Sequence, residues 1–466
     1  MLFFTLTIFC IFIFFQILYL IVPITRLWKI HPQIIELQEQ ENITLLIPAF
    51  NEENIILSCL DGILQLNYTN YEVFIINDGS TDNTLEILKK TLQLTPVIIN
   101  KANKLHHNPI IGCYQSLLLP RIFVLDKANG GKADSLNTGL EYASNEIIIT
   151  LDADCFLSPQ AFHAVNAVFK DKNIIAAGGT VQIIQGMIND HAVPSATFNV
   201  NSLIKYQIVQ YLTSFYLHKV TQAEFNALTV ISGAFGIFRK SSLIEINGYR
   251  NTIGEDMDIT LRIHQLIKKS QPDKKIVFIP EAVCHTECPE KFKDLLKQRL
   301  RWQKAFVDCI ITYWNHLFKD FGFSMSCFLL FDSLLLGTIA AFYTILFLIT
   351  LILSKSDPLL AFLLIVISLI LGTSQSMISL FLSKRFGHCY SWIDYIRYFL
   401  FSLLEVVSFR LLGLVFCTLG TIMYFFDKHD WDKVTRSGKN YTAGAHLAAC
   451  RDPQPLSDKG EIVYNG

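Results

Sequence analysis

The first 22 residues of this 466-residue chain contain no charged side chain. A helix rises about 1.5 Å per residue, so this segment is long enough to cross the roughly 30 Å of hydrocarbon in a bilayer. Arg26 and Lys29 follow it, which favours a cytoplasmic C-terminal side. A cleaved signal peptide is the alternative, but such a peptide needs a basic start and a small-residue cleavage site. We therefore predict a transmembrane anchor over residues 1–28.

Three more apolar stretches lie near the C-terminus. Residues 327–353 and 359–382 are long enough to cross the membrane, and a mean hydropathy of +0.37 with 36 phenylalanines agrees with membrane segments. The third stretch, 396–426, contains Glu405 and Arg410, and a charge at the bilayer centre costs about 2.5 to 3.5 kcal/mol. We predict a membrane region over 324–426, with two spans and an interfacial or re-entrant helix.

The composition excludes several other classes of protein. A net charge of −1 gives no indication of nucleic-acid binding. The 11 cysteines are scattered and odd in number, which favours reduced thiols over a disulfide framework. Cys284, His285 and Cys288 form a tight cluster, but the sequence has no second cluster to complete a four-ligand zinc site.

Between the membrane segments, residues 40–285 form a predicted globular domain, and residues 43–155 of it alternate short β-rich runs with helical stretches. The pattern predicts strands at 43–48, 71–77, 121–125 and 147–151, and helices at 52–65, 81–94 and 132–143. Residues 101–120 read as a loop insertion. Such alternation is typical of an α/β domain with a parallel sheet and helices on both faces, in which ligands bind beyond the carboxyl ends of the strands.

Asp152 and Asp154 stand directly after the apolar strand predicted at 147–151. Two like charges this close repel each other unless something neutralises them. Mg²⁺ is typically held by one or two carboxylates together with substrate phosphates, so a metal-bound diphosphate would account for the pair. A simple turn is the alternative, because Asp is a common turn residue.

Four further motifs gain weight from their order along the chain. Asp78 follows the second strand. Asn129-Gly130-Gly131-Lys132 begins a helix, where the glycines let a phosphate approach the backbone closely and Lys132 adds a positive charge. Asp256 lies in Gly254-Glu255-Asp256. The acids of this motif either stabilise the positive N-terminal end of a helix or supply a general base. Gln298-Arg299-Leu300-Arg301-Trp302 precedes a span, where basic and aromatic residues also serve as membrane anchors.

Taken together, these motifs resemble the processive, membrane-bound glycosyltransferases of family 2, which synthesise poly-N-acetylglucosamine, hyaluronan, chitin and cellulose. The resemblance runs from about residue 43 to Trp302, and the poly-N-acetylglucosamine synthase-like branch looks most similar. It rests on these segments: IPAFNEE (47–53), INDGSTD (76–82), NGGKADSLN (129–137), TLDADC (150–155), ISGAFGIFRK (231–240), GEDMDITLR (254–262), PEAVCHTECPE (280–290) and QRLRW (298–302).

The resemblance implies a fold and a role for each motif. The fold is a nucleotide-diphospho-sugar transferase domain of the GT-A type, with a Rossmann-like mixed sheet, inserted between transmembrane helices. Residues 286–322 would form interfacial helices. The implied roles are uridine binding by Asn51, Glu53 and Asp78; diphosphate contact by Lys132, Gln298 and Arg301; nucleotide or metal contact by Asp152; Mg²⁺ or Mn²⁺ ligation by Asp154; general base catalysis by Asp256; and acceptor stacking by Trp302.

The resemblance also implies a location and partners. The catalytic domain would face the cytosol at a bacterial inner membrane, and the tail 427–466, with residues 431–436 similar to a gating loop, would stay on that side. Expected partners are a UDP-sugar, a growing glycan, membrane lipids and an accessory or export subunit, since three spans make a thin channel. Two alternatives stay open: a single transfer of sugar to a lipid acceptor, and a catalytically silent membrane protein that only binds nucleotide or glycan.

Overall fold

The computed structural model describes residues 2–27, 39–102, 104–188, 195–342, 344 and 358–426. A ten-stranded mixed sheet forms the centre of the domain, and a separate two-stranded sheet lies beside it. In chain order the strands are Ile43–Ala49 (β1), Tyr71–Asn77 (β2), Leu94–Pro96 (β3), Ile110–Ser116 (β4), Ile122–Lys127 (β5), Ile147–Leu151 (β6), Cys155–Leu157 (β7), Ile174–Ile183 (β8), Met187–Ile188 (β9), Ser195–Ala196 (β10), Phe235–Arg239 (β11) and Lys275–Thr286 (β12), of which β9 and β10 form the small sheet.

Four parallel strands position the functional loops. β5, β2, β1 and β6 are neighbours and run in one direction. All five residues of β6 are buried, as expected for a strand that helices cover on both faces. Because parallel strands end at the same edge of a sheet, the loops after Ala49, Asn77, Lys127 and Leu151 assemble there. β11 pairs antiparallel with both β6 and β8, which makes the sheet mixed.

Helices connect and cover the strands. Those of the domain before the C-terminal apolar region are Ile56–Leu64 (α2), Thr84–Leu92 (α3), Lys132–Tyr142 (α4), Ala161–Phe169 (α5), Ser202–Thr213 (α6), Lys219–Glu224 (α7), Lys240–Glu245 (α8), Glu255–Lys269 (α9) and Phe292–Tyr313 (α10), with Leu2–Leu27 (α1) preceding them. Apolar side chains of α2 and α5 pack on one face of the sheet, and those of α4 and α9 pack on the other. The predicted three-layer arrangement is therefore confirmed.

The loop insertion predicted for 101–120 is wrong over part of its length. Residues Ile110–Ser116 form β4, which pairs antiparallel with β5 and with the short strand β3. The segment was missed because Gly112, Gln115 and Ser116 interrupt the apolar pattern expected of a strand. β4 and β3 form one edge of the sheet, so burial on both faces is not required of their side chains.

Among the described residues, the apolar helices provide four candidates for crossing a membrane by length and composition. They are residues Leu6–Leu27, Phe323–Phe342, Phe362–Phe386 and Phe409–Phe426. The second contains the short helix Phe323–Cys327 (α11) and a π-helical segment, Phe328–Ile339, and the third lies largely in Pro358–Ser383 (α12). The end of the predicted span 327–353 lies outside the described residues, as does the tail segment 431–436.

The stretch predicted as one helix over 396–426 is two helices in the structure. Trp392–Val407 (α13) ends at Ser408, and Phe409–Phe426 (α14) begins directly after it. Across this break, Arg410 Nε lies 3.0 Å from Glu405 Oε2, so the two mid-segment charges neutralise each other.

The second of these helices, α14, packs along α10. The Phe292 and Phe416 rings lie 6.1 Å apart, Gln303 donates to Thr421 at 3.0 Å, and the hydroxyl of Tyr424 donates to Asp308 at 2.8 Å. The residue numbers of these contacts increase together along both helices, so α10 and α14 run parallel. α10 carries seven charged residues over positions 293–308 and is too polar to cross a membrane. The interfacial placement of α14 stays a prediction that this packing supports.

Candidate active site

The side chain of Lys132 joins two carboxylates at the carboxyl edge of the sheet. Lys132 is the first residue of α4, after Gly131, whose positive φ of 87° suits a residue without a side chain. Its ammonium lies 2.6 Å from Asp152 Oδ1 and 3.1 Å from Glu255 Oε1. It also donates to the carbonyl oxygen of Gly233 at 3.4 Å. The structure thus brings together the end of β6, the start of α4 and the start of α9.

Asp256 joins the same group through Gly233. The backbone N–H of Gly233 donates to Asp256 Oδ2 at 3.2 Å, and the N–H of Met257 donates to Asp256 Oδ1 at 2.8 Å. A Cβ atom at position 233 would lie 2.8 Å from Lys132 Nζ and 3.4 Å from Asp256 Cβ. Glycine therefore permits the close approach of Asp256 and Lys132. A small cavity between them is lined by Lys132, Thr150, Ser232, Gly233, Glu255 and Asp256.

The charges in this group shift its protonation equilibria. Burial alone would lower the pKa of Lys132, but the carboxylates of Asp152 and Glu255 overcome that effect and raise the pKa above its ordinary value. Burial raises the pKa of Glu255, and the nearby ammonium of Lys132 opposes this rise. Lys132 is therefore cationic at neutral pH.

Asp78 lies beneath the glycine loop rather than at its surface. Its carboxylate accepts hydrogen bonds from Lys127 Nζ at 2.7 Å, from the Asn129 side chain at 3.1 Å and from the N–H groups of Gly130 and Gly131 at 2.9 and 2.8 Å. The residue is 3% exposed. Asp78 thus fixes the loop that delivers Lys132, a role that the sequence alone did not indicate. Its predicted contact with uridine stays a prediction.

Asn51 and Glu53 tie the loop after β1 to the loop after β2. The Asn51 side chain accepts from the N–H of Thr81 at 2.7 Å, and the residue has a positive φ of 55°. Glu53 Oε2 accepts from the side chain and N–H of Asn83 at 2.9 and 3.1 Å. These contacts keep the two loops together at the edge predicted for uridine, but they do not bring Asn51 or Glu53 to Lys132.

Asp152 and Asp154 offer oxygen ligands at the end of β6. The side chain of Asp152 is 32% exposed, whereas Asp154 is 8% exposed and lies 3.3 Å from its neighbour Cys155 Sγ. In the described part of the chain, no three His, Cys, Asp or Glu side chains form a metal cluster. A site with one or two carboxylates fits Mg²⁺ or Mn²⁺, because such ions take their other ligands from water and substrate phosphates.

Gln298, Arg301 and Trp302 lie on α10, which packs against the helix of Asp256. A Cβ atom at Gly254 would lie 2.7 Å from Ala305 Cβ, and the Tyr313 hydroxyl donates to Asp258 at 2.8 Å. α10 and α9 are therefore in direct contact.

The individual side chains of this α10 motif differ in their surroundings. Gln298 is buried, and its Oε1 has no hydrogen-bond partner among the described residues. The guanidinium carbon of Arg299 lies 4.4 Å from the centroid of the Trp302 ring. Trp302 is 41% exposed even with this contact, so a ligand can reach the indole. Arg301 is half-buried on the same helix.

One residue of the group was not singled out from the sequence. Glu255 lies 3.1 Å from Lys132, although the sequence indicated it only as one of the acids that either charge a helix start or supply a general base. The signal available was its place beside Asp256 in Gly254-Glu255-Asp256. A sequence pattern does not indicate which of two adjacent acids faces a given cation.

Comparisons with known proteins give family matches over this region. Residues 44–246 match the model described as glycosyl transferase family 2, and residues 147–374 match the one described as glycosyl transferase family group 2. Two relatives are poly-beta-1,6-N-acetyl-D-glucosamine synthases, from Staphylococcus epidermidis (30% identical over 285 residues, 60% of this chain and 58% of the relative) and from Staphylococcus aureus strain MSSA476 (30% over 275 residues, 58% and 56%). The matched region thus spans 56 to 58% of the length of these relatives.

One solved structure shares the fold. A mannosyltransferase from Pyrobaculum calidifontis, in complex with GDP-Man and Mn²⁺, aligns over 91% of this chain and 100% of its own with a TM-score of 0.52. At 14% sequence identity the likeness extends to the fold alone. It confirms the predicted fold class, a GT-A type transferase sheet flanked by helices.

Proposed function

Since residues 44–246 of this chain match the glycosyl transferase family 2 model, we propose that the protein is a membrane-bound enzyme that transfers a sugar from a UDP-sugar to a growing β-linked polysaccharide. The carboxylate and lysine group at the carboxyl edge of the sheet carries this proposal, because it combines a base, a cation and metal-type oxygen ligands at one place. N-acetylglucosamine is the first sugar to test, because the relatives named above are synthases of its polymer.

In the proposed reaction, Asp256 acts as the general base. Its carboxylate removes the proton of the acceptor hydroxyl while that oxygen attacks the anomeric carbon, and the bond from that carbon to the UDP oxygen breaks. Gly233 fixes Oδ2 through its N–H, which leaves the remaining lone pairs for the acceptor. Direct displacement by one acceptor inverts the configuration, from an α-linked donor to a β-linked product.

Other residues stabilise the departing UDP. Lys132 supplies a positive charge next to the acids of the Asp152 loop, and Arg301 and Gln298 lie on the helix that packs against α9. A Mg²⁺ or Mn²⁺ ion held by Asp154 and Asp152 would supply Lewis-acid stabilisation of the diphosphate. Fixed charges of this kind usually make the largest contribution to lowering the barrier.

The candidate membrane helices support a reaction at a bilayer surface. α10 carries Trp302, which is exposed enough to stack on an acceptor sugar, and it packs on the apolar helix α14. Arg26 in the last turn of α1, and Lys384 and Arg385 after α12, favour a cytosolic position for the domain that follows α1, by the positive-inside rule. An accessory or export subunit remains a proposed partner, and so do the surrounding lipids.

The test is a panel of UDP-sugars offered to the purified full chain with Mg²⁺ or Mn²⁺. Released UDP reports which donor is used, and chromatography of the products reports their length. The proposal expects one donor to be strongly preferred and a ladder of oligomers to form. If no UDP-sugar is consumed under any of these conditions, the protein is the catalytically silent binder.

A single transfer to a lipid acceptor is the second candidate function. It would use the same donor site, and the apolar surroundings of α10 are compatible with it. The same product analysis separates the two, because a lipid transferase yields one sugar on a lipid and no ladder.

A further inference from the structure

Glu255 has an unusual position for a residue outside the predicted site. Its side chain is 12% exposed, and its partner among the described ion pairs is Lys132, at 3.1 Å. A buried carboxylate is costly unless it is paired with a cation, so Glu255 depends on Lys132 for its charge balance. The side chain of Asp152, on the other side of the same ammonium, is 32% exposed.

The ammonium of Lys132 therefore lies between two carboxylates that differ in exposure. A lysine has three donors, and here they meet Asp152, Glu255 and the carbonyl of Gly233. The contact with Asp152 is the shorter, at 2.6 Å against 3.1 Å. Asp152 is also a proposed ligand of the metal that would hold the diphosphate, so Lys132 and the metal would compete for one carboxylate.

We propose that Glu255 is a positioning residue. It holds Lys132 beside the donor site when Asp152 binds the metal that carries the diphosphate. The inference rests on the donor site proposed above and adds to it a defined movement. The ammonium leaves Asp152, keeps Glu255 and Gly233 as acceptors, and directs its freed N–H toward a phosphate oxygen. Asp152 would keep a cationic partner after this exchange, because the metal would take the place of the ammonium there.

The geometry around Gly233 makes the movement feasible. The absence of a Cβ leaves space beside Lys132 Nζ, where a methyl group would come within 2.8 Å. Glu255 and Asp256 are consecutive residues in the first turn of α9, so the acceptor of Lys132 and the base are fixed by one rigid element. Lys132 thus keeps a defined distance from the reacting groups after it leaves Asp152.

A double-mutant cycle on the full chain tests this role. The four proteins are wild type, E255Q, K132M and the double variant. K268M is the control, because it removes an exposed lysine from α9, the helix that carries Glu255. Calorimetric titration with UDP in the presence of Mn²⁺ is the readout, and thermal unfolding checks that each protein is folded. E255Q is expected to weaken UDP binding about tenfold when Lys132 is present, as loss of an outer partner of a metal site does, but only about twofold in the K132M background.

Titration with Mn²⁺ alone gives a second readout. K132M is expected to bind Mn²⁺ about fivefold more tightly than wild type, because the competing ammonium is gone from Asp152. An equal loss on E255Q in both lysine backgrounds would show that Glu255 ligates the metal itself, and unchanged Mn²⁺ affinity in K132M would show that no competition exists. Either result overturns the inference. If wild type fails to bind UDP at all, the proposed function fails instead.

Discussion

The backbone N–H of Gly233 lies 3.2 Å from Oδ2 of Asp256 and donates a hydrogen bond to it. The carbonyl of the same glycine accepts from Lys132 at 3.4 Å. A single residue before β11 therefore contacts both the proposed base and the proposed phosphate-binding cation. A larger residue at position 233 should therefore lower the activity strongly and change the stability of the fold little.

Replacing Gly233 with alanine tests this dependence. The new methyl group would meet Lys132 Nζ at 2.8 Å and Asp256 Cβ at 3.4 Å, and the lysine is the side chain that can move. We expect kcat to fall about 100-fold, as small displacements of catalytic groups do, with little change in the thermal unfolding temperature. Gly413→Ala is the matched control, because a Cβ there meets nothing within 4 Å. Equal activity of the two variants would contradict the account.

Removing the charge of Asp154 tests the metal site. In Asp154→Asn the main loss should be in UDP binding that depends on Mn²⁺, by about 10- to 100-fold, while weak binding without metal stays the same. Titration of UDP with and without Mn²⁺ measures both quantities. Asp273→Asn, at an exposed position, is the control. A variant that loses binding equally with and without metal would place Asp154 in a structural role.

Asp78→Asn tests the support beneath the glycine loop. The substitution leaves the buried ammonium of Lys127 with Asp134, at 2.6 Å, as its remaining carboxylate in the described ion pairs. It also replaces an acceptor of the N–H groups of Gly130 and Gly131. Breaking a buried pair typically costs about 3 to 5 kcal/mol, so unfolding should occur at lower denaturant. Unchanged stability with weaker UDP binding would instead assign Asp78 to uridine alone.

The packing of α14 on α10 predicts the location of the tail. If α14 lies along the interface, residues 427–466 stay on the side of the catalytic domain. A full-length chain with green fluorescent protein at its C-terminus should then fluoresce, and a matching alkaline phosphatase fusion should be inactive. An active phosphatase fusion would mean that α14 crosses the membrane, as its length and composition alone would allow.

The central strands could be predicted because each is a short apolar run that helices cover on both faces. β2 and β6 begin and end where the sequence predicted them. β4 was not predicted, because Gly112, Gln115 and Ser116 interrupt the apolar pattern expected of a strand. The break at Ser408 also escaped prediction, since Glu405 and Arg410 satisfy each other only once the chain bends between two helices.

The candidate site was predictable as a set of motifs but not as a set of contacts. Asp78 binds Lys127 and the glycine loop, about 50 positions away in sequence, and no periodicity reports such a pairing. Glu255 looked like a residue that charges a helix start, and it does lie in the first turn of α9. Its contact with Lys132 arises from the tertiary fold, which brings α4 beside α9.

The most direct test of the account compares Asp256→Asn with wild type in two measurements on the same preparation. Sugar transfer, read as labelled product from the preferred UDP-sugar, should fall by about 100- to 10,000-fold, because a general base contributes that much. UDP binding should stay within about twofold of wild type, because Asp256 is proposed to act on the acceptor hydroxyl and not on the nucleotide. Near-normal transfer by the asparagine variant would contradict the assignment of the base and with it the proposed reaction.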